Sequence, residues 1–240
     1  MKLISKLAHF LALFFICISI AHAQPYPNKP IKLIVPFPPG GTADILGRML
    51  GDKLAVVTSQ SVIIENRAGA AGGIAAQFVA KSPADGYTLL FGTTGTQTMN
   101  PAINSKLPYD PLKDFASVSN FGASPFILVV NPNVPAQNLK ELIDLANKKP
   151  GSLRYASFGS GSSAHMTGEM FKLRAGVDIV HVPYKGAAPA LIDVVGGHVD
   201  MMFTLTPSVL QQLRTGSLRA IAVAAPQRDP AIPSVPTFAE

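Results

Sequence analysis

Short apolar runs alternate along this chain with segments whose apolar residues recur at helical spacing. The first run, Ile31–Val35, is apolar on both faces except for Lys32, which is typical of a strand covered by helices on both sides. In residues 45–54, apolar side chains recur at the spacing of one helix face and predict a helix. Strands that alternate with helices form parallel sheets with right-handed crossovers, so the pattern predicts an α/β fold.

The same alternation continues through the chain and predicts two lobes. Residues 115–131 are extended and apolar without a helical pattern, and we interpret them as one strand that leaves the first lobe and enters the second. The predicted boundaries are 24–122 for the first lobe, 123–225 for the second and 226–240 for the start of a proline-rich return connection to the first lobe. The other predicted strands are residues 61–65, 87–94, 153–156, 179–183, 199–203 and 219–225, with a polar loop at 92–98 and helices at 72–80, 138–148, around 166–173, around 191–195 and at 208–213.

Residues 1–23 have the pattern of a secretory signal peptide. Lys2 and Lys6 precede an apolar run, and a small-residue cleavage site follows this run before Gln24. The only cysteine of the chain, Cys17, lies inside the same segment, so the mature protein is predicted to have no disulfide. We therefore expect export to a bacterial periplasm, where a protein without cysteine is stabilised by its core alone.

The charge pattern argues against a nucleic-acid partner. The chain has 20 basic and 14 acidic residues and a net charge of +6, and its charged residues are scattered rather than clustered. No basic stripe with interleaved aromatic residues is present, so the mild positive charge is compatible at most with small anionic ligands. His181 and His198 lack metal-ligand spacing, so the sequence predicts neither a metal site nor a cofactor.

The segment after the first strand has the composition of an anion-binding loop. Three prolines end sheet pairing, and Gly40 and Gly41 allow a tight turn that leaves N–H groups free. Thr42 can cap the helix that follows, and the N-terminus of that helix favours negative charge. Because no Gly-Lys-Ser or Gly-Lys-Thr follows the glycines, the segment is not a nucleotide P-loop, and a small carboxylate is the predicted ligand. An ordinary βα connection is the alternative explanation of the same residues.

Two segments of the second lobe contain matching polar groups. Residues 159–163 have the sequence Gly-Ser-Gly-Ser-Ser between a strand and a helix, and residues 184–186 also follow a strand end. Their hydroxyl and N–H groups suit a second anionic or hydroxyl group, so opposed strand-end loops are predicted to hold a small molecule between the lobes. Lys185 is either a counter-charge for a carboxylate or a solvated turn lysine. We interpret His165 as a packing or capping residue rather than as a ligand contact.

Asp44 and the serine-rich segment leave further alternatives open. Asp44 can orient the first loop, meet an ammonium group of an amino-acid-like ligand, or accept N–H groups of its own helix. A serine of residues 160–163 together with His165 suggests a secreted hydrolase, but the Gly-x-Ser-x-Gly elbow is absent and no acid is placed to orient the histidine. A receptor is therefore predicted rather than an enzyme. A ligand sensor that feeds a signalling partner is the second alternative.

Several motifs, in their order along the chain, resemble those of a known family. The chain is similar to the Bug-type periplasmic solute-binding receptors of tripartite tricarboxylate transporters over nearly all of residues 26–240. The motifs are Tyr26-Pro27-Asn28-Lys29-Pro30, Pro36-Phe37-Pro38-Pro39-Gly40-Gly41 with Asp44, Glu65-Asn66-Arg67, Pro83-Ala84-Asp85-Gly86-Tyr87-Thr88-Leu89-Leu90, Tyr155-Ala156-Ser157, Gly161-Ser162-Ser163 with His165, His181-Val182-Pro183-Tyr184-Lys185-Gly186 and residues 235–240.

The resemblance implies a two-lobed type II periplasmic binding protein that closes like a clamshell on a small organic carboxylate. Such receptors hold the ligand largely through backbone groups and ordered waters and pass it to membrane permease subunits. The predicted partners are therefore the carboxylate and the permease of a tripartite tricarboxylate transporter, with a monomeric receptor and no catalytic residue. Carried over by position, the predicted ligand-binding residues are Phe37, Pro39, Gly40, Gly41, Thr42, Asp44, Thr93, Thr94, Gln97, Ser160, Gly161, Ser162, Ser163, Tyr184, Lys185 and Gly186.

The resemblance also carries one departure at the C-terminal end. Members of the family continue beyond the segment that corresponds to residues 235–240 and return to the first lobe, whereas this chain ends at Glu240. We therefore expect a fold without the C-terminal return, from either a fragment or a truncated product. Because lost burial costs about 25 cal/mol per Å² of apolar surface, we also expect this chain to be much less stable than a full receptor.

Overall fold

The computed structural model describes residues 26–240 of the chain. The predicted signal peptide, residues 1–23, lies outside the described residues. None of the helices in residues 26–240 has the length and apolarity that crossing a membrane requires. Two separate sheets flanked by helices organise this part of the chain, and we name the first and second lobe after them.

The first lobe contains a three-stranded parallel sheet in the order β2-β1-β3. Its strands are β1 (Ile31–Val35), β2 (Val62–Asn66) and β3 (Thr88–Leu90), and its helices are α1 (Thr42–Thr58), α2 (Gly73–Ala80) and the short α3 (Asn100–Ile103). Because β1 is central, Leu33 pairs with Ile64 on one side and with Leu89 on the other. A glycine lets α1 approach the sheet closely, since a Cβ atom on Gly47 would lie 2.9 Å from Val35 Cγ2.

The second lobe contains a five-stranded sheet in the order β6-β5-β7-β4-β8. Strands β5, β6 and β7 are parallel, whereas β4 runs antiparallel to β7 and β8. The carboxyl ends of β5, β6 and β7 therefore lie at one edge of the sheet. The elements are β4 (Phe126–Val130), β5 (Arg154–Ser157), β6 (Val180–Pro183), β7 (Met201–Leu205), β8 (Arg219–Ala224), α4 (Leu139–Lys148), α5 (Ser163–Ala175), α6 (Ala187–Val195) and α7 (Leu210–Arg214).

The core of the second lobe lies on both faces of its sheet. Ile127 and Val129 of β4 point into one apolar cluster, and Leu128 and Val130 point into the other. All four side chains are fully buried, as the period-two alternation of a strand requires when helices cover both faces. Phe37 of the first lobe joins the first of these clusters, so the two lobes share part of one core.

The prediction of one continuous strand over residues 115–131 is wrong. Only Phe126–Val130 forms a strand, and residues 115–125 have no regular secondary structure. Strand formation requires a partner with matching register, and β4 has partners in β7 and β8 only over these five residues. The apolar pattern alone does not reveal where such pairing stops.

The predicted strand over residues 87–94 is also shorter than expected. It spans Thr88–Leu90, and the predicted polar loop at 92–98 contains a π-helical turn at Gly95–Met99. Thr93 and Thr96 explain this turn because each side chain accepts the backbone N–H of the other, at 3.2 and 3.0 Å. Such reciprocal bonds satisfy the N–H groups that a helix start leaves without partners.

The proline-rich segment at residues 226–240 packs against the second lobe. Thr237 forms a parallel bridge with Val223 of β8, and the Phe238 N–H donates to the Val223 carbonyl. Val235 is buried in the core, and the Phe238 ring contacts the Phe171 ring of α5. The predicted lobe boundaries at 24–122, 123–225 and 226–240 stay predictions.

Candidate functional site

The first loop, residues 36–41, connects β1 to the N-terminus of α1. Gly40 has φ of +82°, a conformation that glycine adopts readily, and Gly41 is the N-cap of α1 without a side-chain capping bond. The N–H groups of Thr42 and Ala43 lie in the first helical turn, where no intrahelical acceptor exists. The loop therefore leads into a helix N-terminus with free N–H groups, which is the feature behind the prediction of an anion site.

Asp44 holds this loop in shape. Its carboxylate accepts the Gly40 N–H at 3.0 Å, the Asn66 side-chain amide at 2.9 Å and the Arg48 guanidinium at 3.0–3.1 Å. Burial raises the pKa of Asp44, but the hydrogen bonds from Arg48, Gly40 and Asn66 outweigh burial and hold the pKa below its usual range. Of the alternatives considered for Asp44, the geometry corresponds to the one in which it orients the first loop.

Thr42, the first residue of α1 after this loop, has an unused polar side-chain atom. It is 4% exposed, and its Oγ1 has no hydrogen-bond partner among residues 26–240. Thr206, directly after β7 in the second lobe, has the same property and is 2% exposed. A buried hydroxyl without a partner is costly, so both positions are candidates for contact with a ligand. The sequence analysis predicts Thr42 and misses Thr206.

The serine loop, residues 159–163, lies between β5 and α5. Gly159 and Gly161 have φ of +122° and +86°, which favours glycine at both positions. Ser162 is 1% exposed, and its Oγ caps α5 by accepting the His165 N–H at 3.3 Å. The ring Nδ1 of His165 in turn accepts the Gly161 N–H at 3.2 Å. Ser162 thus has a capping bond within the protein, and Ser160 is exposed at the tip of the loop.

Beneath the serine loop lies a stack of three rings. The ring of His181 stacks on His165 with centroids 4.1 Å apart and on Tyr155 at 5.0 Å. His181 Nε2 lies 2.6 Å from Oγ of the buried Ser157. Burial and then the neighbouring His165 lower the pKa of His181 to about 4, and burial also lowers the pKa of His165.

The second predicted segment of this lobe, residues 184–186, contributes mainly backbone to the interface. The Tyr184 hydroxyl donates to Asp193 of α6 at 2.5 Å, and burial together with this carboxylate raises the pKa of Tyr184 to about 12. Lys185 is exposed, and no ion pair joins it to another residue of the described range. Gly186 lies against Pro38 of the first loop so closely that an added Cβ atom would collide with it.

The third predicted segment, at Thr93, Thr94 and Gln97, lies on the first-lobe side of the interface. The Thr93 hydroxyl is used by the turn at Gly95–Met99, and Thr94 is exposed. The Gln97 side chain packs along Gly92, where a Cβ atom would lie 3.5 Å from its Cγ. Thr96, which the sequence analysis omits, is fully buried, and its carbonyl accepts the Tyr109 hydroxyl at 2.6 Å.

The carboxyl edges of the two sheets face each other, so the structure brings the predicted loops together. A Cβ atom on Gly41 would lie 3.5 Å from Ala187 Cβ, and one on Gly95 would lie 3.5 Å from the Ser163 nitrogen. Phe37 is 8% exposed, and its ring lies 6.1 Å from Phe158 of the second lobe. Phe37 is thus an anchor between the lobes, while Pro39 and Gly40 are exposed at the loop tip.

The segment at Ala70 and Ala71 and the side chain of Asn100 also lie at this interface, and neither is among the predicted site residues. Ala70 and Ala71 have φ of +48° and +51°, a conformation that costs an L-residue about 1–2 kcal/mol, and the backbone of Ala71 faces Gly159 across the lobes. Asn100 is buried and donates to the Ala70 carbonyl at 3.2 Å, and its Oδ1 faces Gly161. The Gly-Ala-Ala-Gly-Gly sequence at 69–73 is the one signal in the sequence that could have pointed to Ala70 and Ala71.

The electrostatics of the interface favour recognition through dipoles rather than through a bidentate arginine salt bridge. The predicted loops contain no arginine, and Arg48 near the first loop is already paired with Asp44. The N-termini of α1, α5 and α6 all start at these loops. Helix N-termini and hydroxyl groups can together hold a carboxylate without a bidentate salt bridge.

Comparisons with known proteins give one matching family and several similar sequences. Residues 46–240 match the family described as tripartite tricarboxylate transporter family receptor. BugT of Bordetella pertussis is 39% identical over all of this chain and 73% of its own length. A UPF0065 protein from the tcbD-tcbE intergenic region of a Pseudomonas species is 38% identical over 90% of this chain and 64% of its own length.

Two solved structures are similar over most of the described residues. The Rpa4515 protein of R. palustris with adipate has a TM-score of 0.87 and 38% identity, over 90% of this chain and 72% of that chain. MatC from Rhodopseudomonas palustris with bound malate has a TM-score of 0.84 and 34% identity, over 88% of this chain and 72% of that chain. Together with a similar periplasmic binding protein, BugD, these structures confirm the predicted two-lobed type II fold class.

Proposed function

Because the chain belongs to the tripartite tricarboxylate transporter receptor family, we propose that it captures a small carboxylate between its two lobes. The resemblance that the motifs suggest is thereby confirmed. The family and the fold are those of solute-binding proteins, which agrees with the prediction of a receptor rather than a hydrolase. Delivery to a membrane permease and location in the periplasm are part of the same proposal.

One observation carries the proposal for the site. Loops at the carboxyl ends of both sheets meet, and each leads into a helix N-terminus with N–H groups that lack intrahelical acceptors. Thr42 adds a buried hydroxyl without a partner in the described residues. One carboxylate at α1 and a second polar group at α5 would satisfy these groups. Relatives with adipate and with malate support a carboxylate as the ligand.

The experiment is a titration of the purified chain with adipate and malate, with the corresponding diamides as neutral controls. Because the chain has no tryptophan, calorimetry and thermal unfolding are better suited than intrinsic fluorescence. A bound acid at 100 times its Kd is expected to stabilise the protein by about 2.7 kcal/mol. Binding of neither acid, or equal binding of an acid and its diamide, would contradict the proposal.

A further inference from the structure

The serine loop is held from below by two histidines, His165 and His181. The Gly161 N–H donates to His165 Nδ1 at 3.2 Å, and the Gly159 N–H donates to Ser157 Oγ at 3.1 Å. Ser157 Oγ is in turn 2.6 Å from His181 Nε2. Both positive-φ glycines of the loop are therefore tied, directly or through one hydroxyl, to an imidazole ring.

The bond from Gly161 specifies the protonation state of His165. Nδ1 accepts a hydrogen bond only when it carries a lone pair, so the ring proton must be on Nε2 and the ring must be neutral. A proton added to Nδ1 would place two donors face to face and break this bond. Because the two rings stack at 4.1 Å, a charge on one ring also opposes a charge on the other.

Few other ionisable groups face the pair. Tyr155 stacks on His181 from β5, and its hydroxyl donates to Glu169 of α5 at 2.7 Å. Lys172, one turn further along α5, pairs with Glu169 at 3.1 Å. Glu169 favours protonation of the two rings and Lys172 opposes it. On the side of the first lobe, the groups nearest Gly161 are the uncharged side chains of Asn100 and Ile103.

Resting on the proposed function, we propose that His165 is a positioning residue, packed on His181, that keeps the serine loop in its ligand-competent shape only while its own ring is neutral. The receptor then releases its carboxylate in acid through its second lobe, independently of protonation of the ligand itself. His165 touches no ligand atom in this scheme. It acts through the backbone of Gly161.

Protonation of a histidine ring has two opposite effects on ligand affinity, and the geometry of the loop indicates which one is larger. A positive ring beneath the loop attracts an anionic ligand, which favours binding. Loss of the Gly161 bond moves a residue that is packed between the lobes, where a Cβ atom would already lie 3.0 Å from Ile103 Cδ1 and 3.3 Å from Asn100 Oδ1. Since packed interfaces do not deform continuously, displacement of Gly161 opposes lobe contact, and we expect weaker binding in acid.

The test uses His165→Asn, because Asn Oδ1 occupies nearly the same position as Nδ1, accepts the Gly161 N–H and does not titrate. His165→Leu removes the acceptor, and His198→Asn is the matched control at an exposed histidine of the second lobe. Adipate and malate are titrated calorimetrically against each variant between about pH 7.5 and pH 4.5. Any protonation of the ligand affects all variants equally, so the ratio of Kd values between wild type and His165→Asn isolates the protein.

We expect tighter binding by His165→Asn than by His165→Leu at every pH, because only asparagine keeps an acceptor for the Gly161 N–H. In acid the wild type and His198→Asn should lose affinity relative to His165→Asn, by up to about tenfold per pH unit for each proton excluded from the bound state. Identical pH profiles for wild type and His165→Asn, or tighter binding by the wild type in acid, would overturn the proposal.

A second readout does not need a ligand. The backbone amide resonance of Gly161 should shift with the titration of a histidine ring in the wild type and in His198→Asn, and should stay constant in His165→Asn. If neither acid binds any variant while Gly161 titrates as expected, the proposed function fails and the positioning role stands. If Gly161 does not titrate, the positioning role fails whatever the ligand does.

Discussion

The hydroxyl of Thr42 is buried in the first turn of α1 and has no hydrogen-bond partner among residues 26–240. A buried polar atom without a partner costs about 1–3 kcal/mol. Natural sequences retain such atoms where they serve a function, and here a ligand oxygen would provide the missing partner. Stability and binding therefore place opposite demands on this one side chain.

We predict that Thr42→Val separates these demands, because valine has the same shape without the hydroxyl. The free energy of unfolding of the empty protein should stay equal or rise by up to about 1 kcal/mol, while carboxylate affinity falls by about fivefold to thirtyfold. Urea unfolding and calorimetry measure the two quantities. Thr58→Val at the other end of α1 is the control, since Thr58 already donates to the Leu54 carbonyl. A loss of stability with unchanged affinity at position 42 would contradict the assignment.

We also predict that stability falls in mild acid. The pKa of His181 is about 4 in the folded protein and about 6.5 in an unfolded chain. Because the unfolded chain binds more protons in this interval, the stabilisation is complete above about pH 6.5 and is lost as the pH falls toward 4, at up to about 1.4 kcal/mol per pH unit. Urea unfolding between pH 7.5 and 5 measures the slope. His181→Gln should flatten it, His198→Gln should leave it unchanged, and a flat wild-type profile would refute the prediction.

Among the helices, α5 depends most on close contact with the sheet beneath it. A Cβ atom on Gly168 would overlap the ring of the fully buried Tyr155. That ring is fixed by its stacking on His181 and by its bond to Glu169 of the same helix. The absence of a side chain at one helical position thus sets the distance between α5 and β5, and with it the position of the serine loop.

We expect Gly168→Ala to destabilise the protein by about 1–3 kcal/mol, because overpacking outweighs the gain of about 1 kcal/mol in helix propensity. Gly73→Ala in α2 is the matched control, since its Cβ atom would meet no atom closer than 3.4 Å. That substitution should be neutral or stabilising. Thermal unfolding measures both, and equal melting temperatures for the two variants would show that α5 has room to move.

Elements with local signals could be predicted from the sequence, and those that depend on distant partners could not. The β1–α1 loop is recognisable because Gly40, Gly41 and the prolines act on their own backbone. The end of β4 is not, because it depends on where β7 and β8 stop pairing. The turn at Gly95–Met99 had a local signal, the Thr93-x-x-Thr96 pair, that the analysis overlooked. Asn100 reaches the interface through the tertiary fold, and the burial of Thr206 after β7 also depends on distant residues, so no spacing in the sequence points to either.

The motifs behind the family resemblance are partly structural. Tyr26 donates to the Gly86 carbonyl at 2.7 Å, and Lys29 pairs with Asp85 at 3.0 Å while lying over the Tyr87 ring. Contacts between the first and fourth motifs therefore attach the start of the described chain to the turn before β3. Their contacts join parts of the first lobe to each other and involve none of the predicted ligand-binding residues.

At the scale of the whole molecule, the two lobes meet through residues with small or missing side chains. Gly186 faces Pro38, and Gly40 and Gly41 face Ala188 and Ala187. The Gly186 backbone is extended, with φ of 166°, so alanine fits there within the second lobe. Its methyl group would collide only with the opposite lobe.

We therefore predict that Gly186→Ala holds the lobes apart without unfolding either of them. Carboxylate affinity should fall by about tenfold or more, because the fraction of binding-competent molecules falls, and the free energy of unfolding should fall by about 1–2 kcal/mol, because Phe37 loses its burial against the second lobe. Calorimetry and the radius of gyration from X-ray scattering measure these effects. Gly122→Ala, whose Cβ atom would meet nothing within 4 Å, is the control. An unchanged affinity and radius would show that the lobes tolerate the extra methyl group.

The burial of Phe37 between the lobes affects the heat-capacity change of ligand binding. Its ring belongs to the first lobe but is buried among Phe158 and other apolar residues of the second, so separation of the lobes would transfer apolar surface of both into water. Burial of apolar surface has a negative heat-capacity change. Capture of a small polar acid that closes the lobes should therefore show a heat capacity far more negative than the acid's own surface can supply. The binding enthalpy would then report chiefly on the protein's surface, and affinity would respond to temperature as protein folding does.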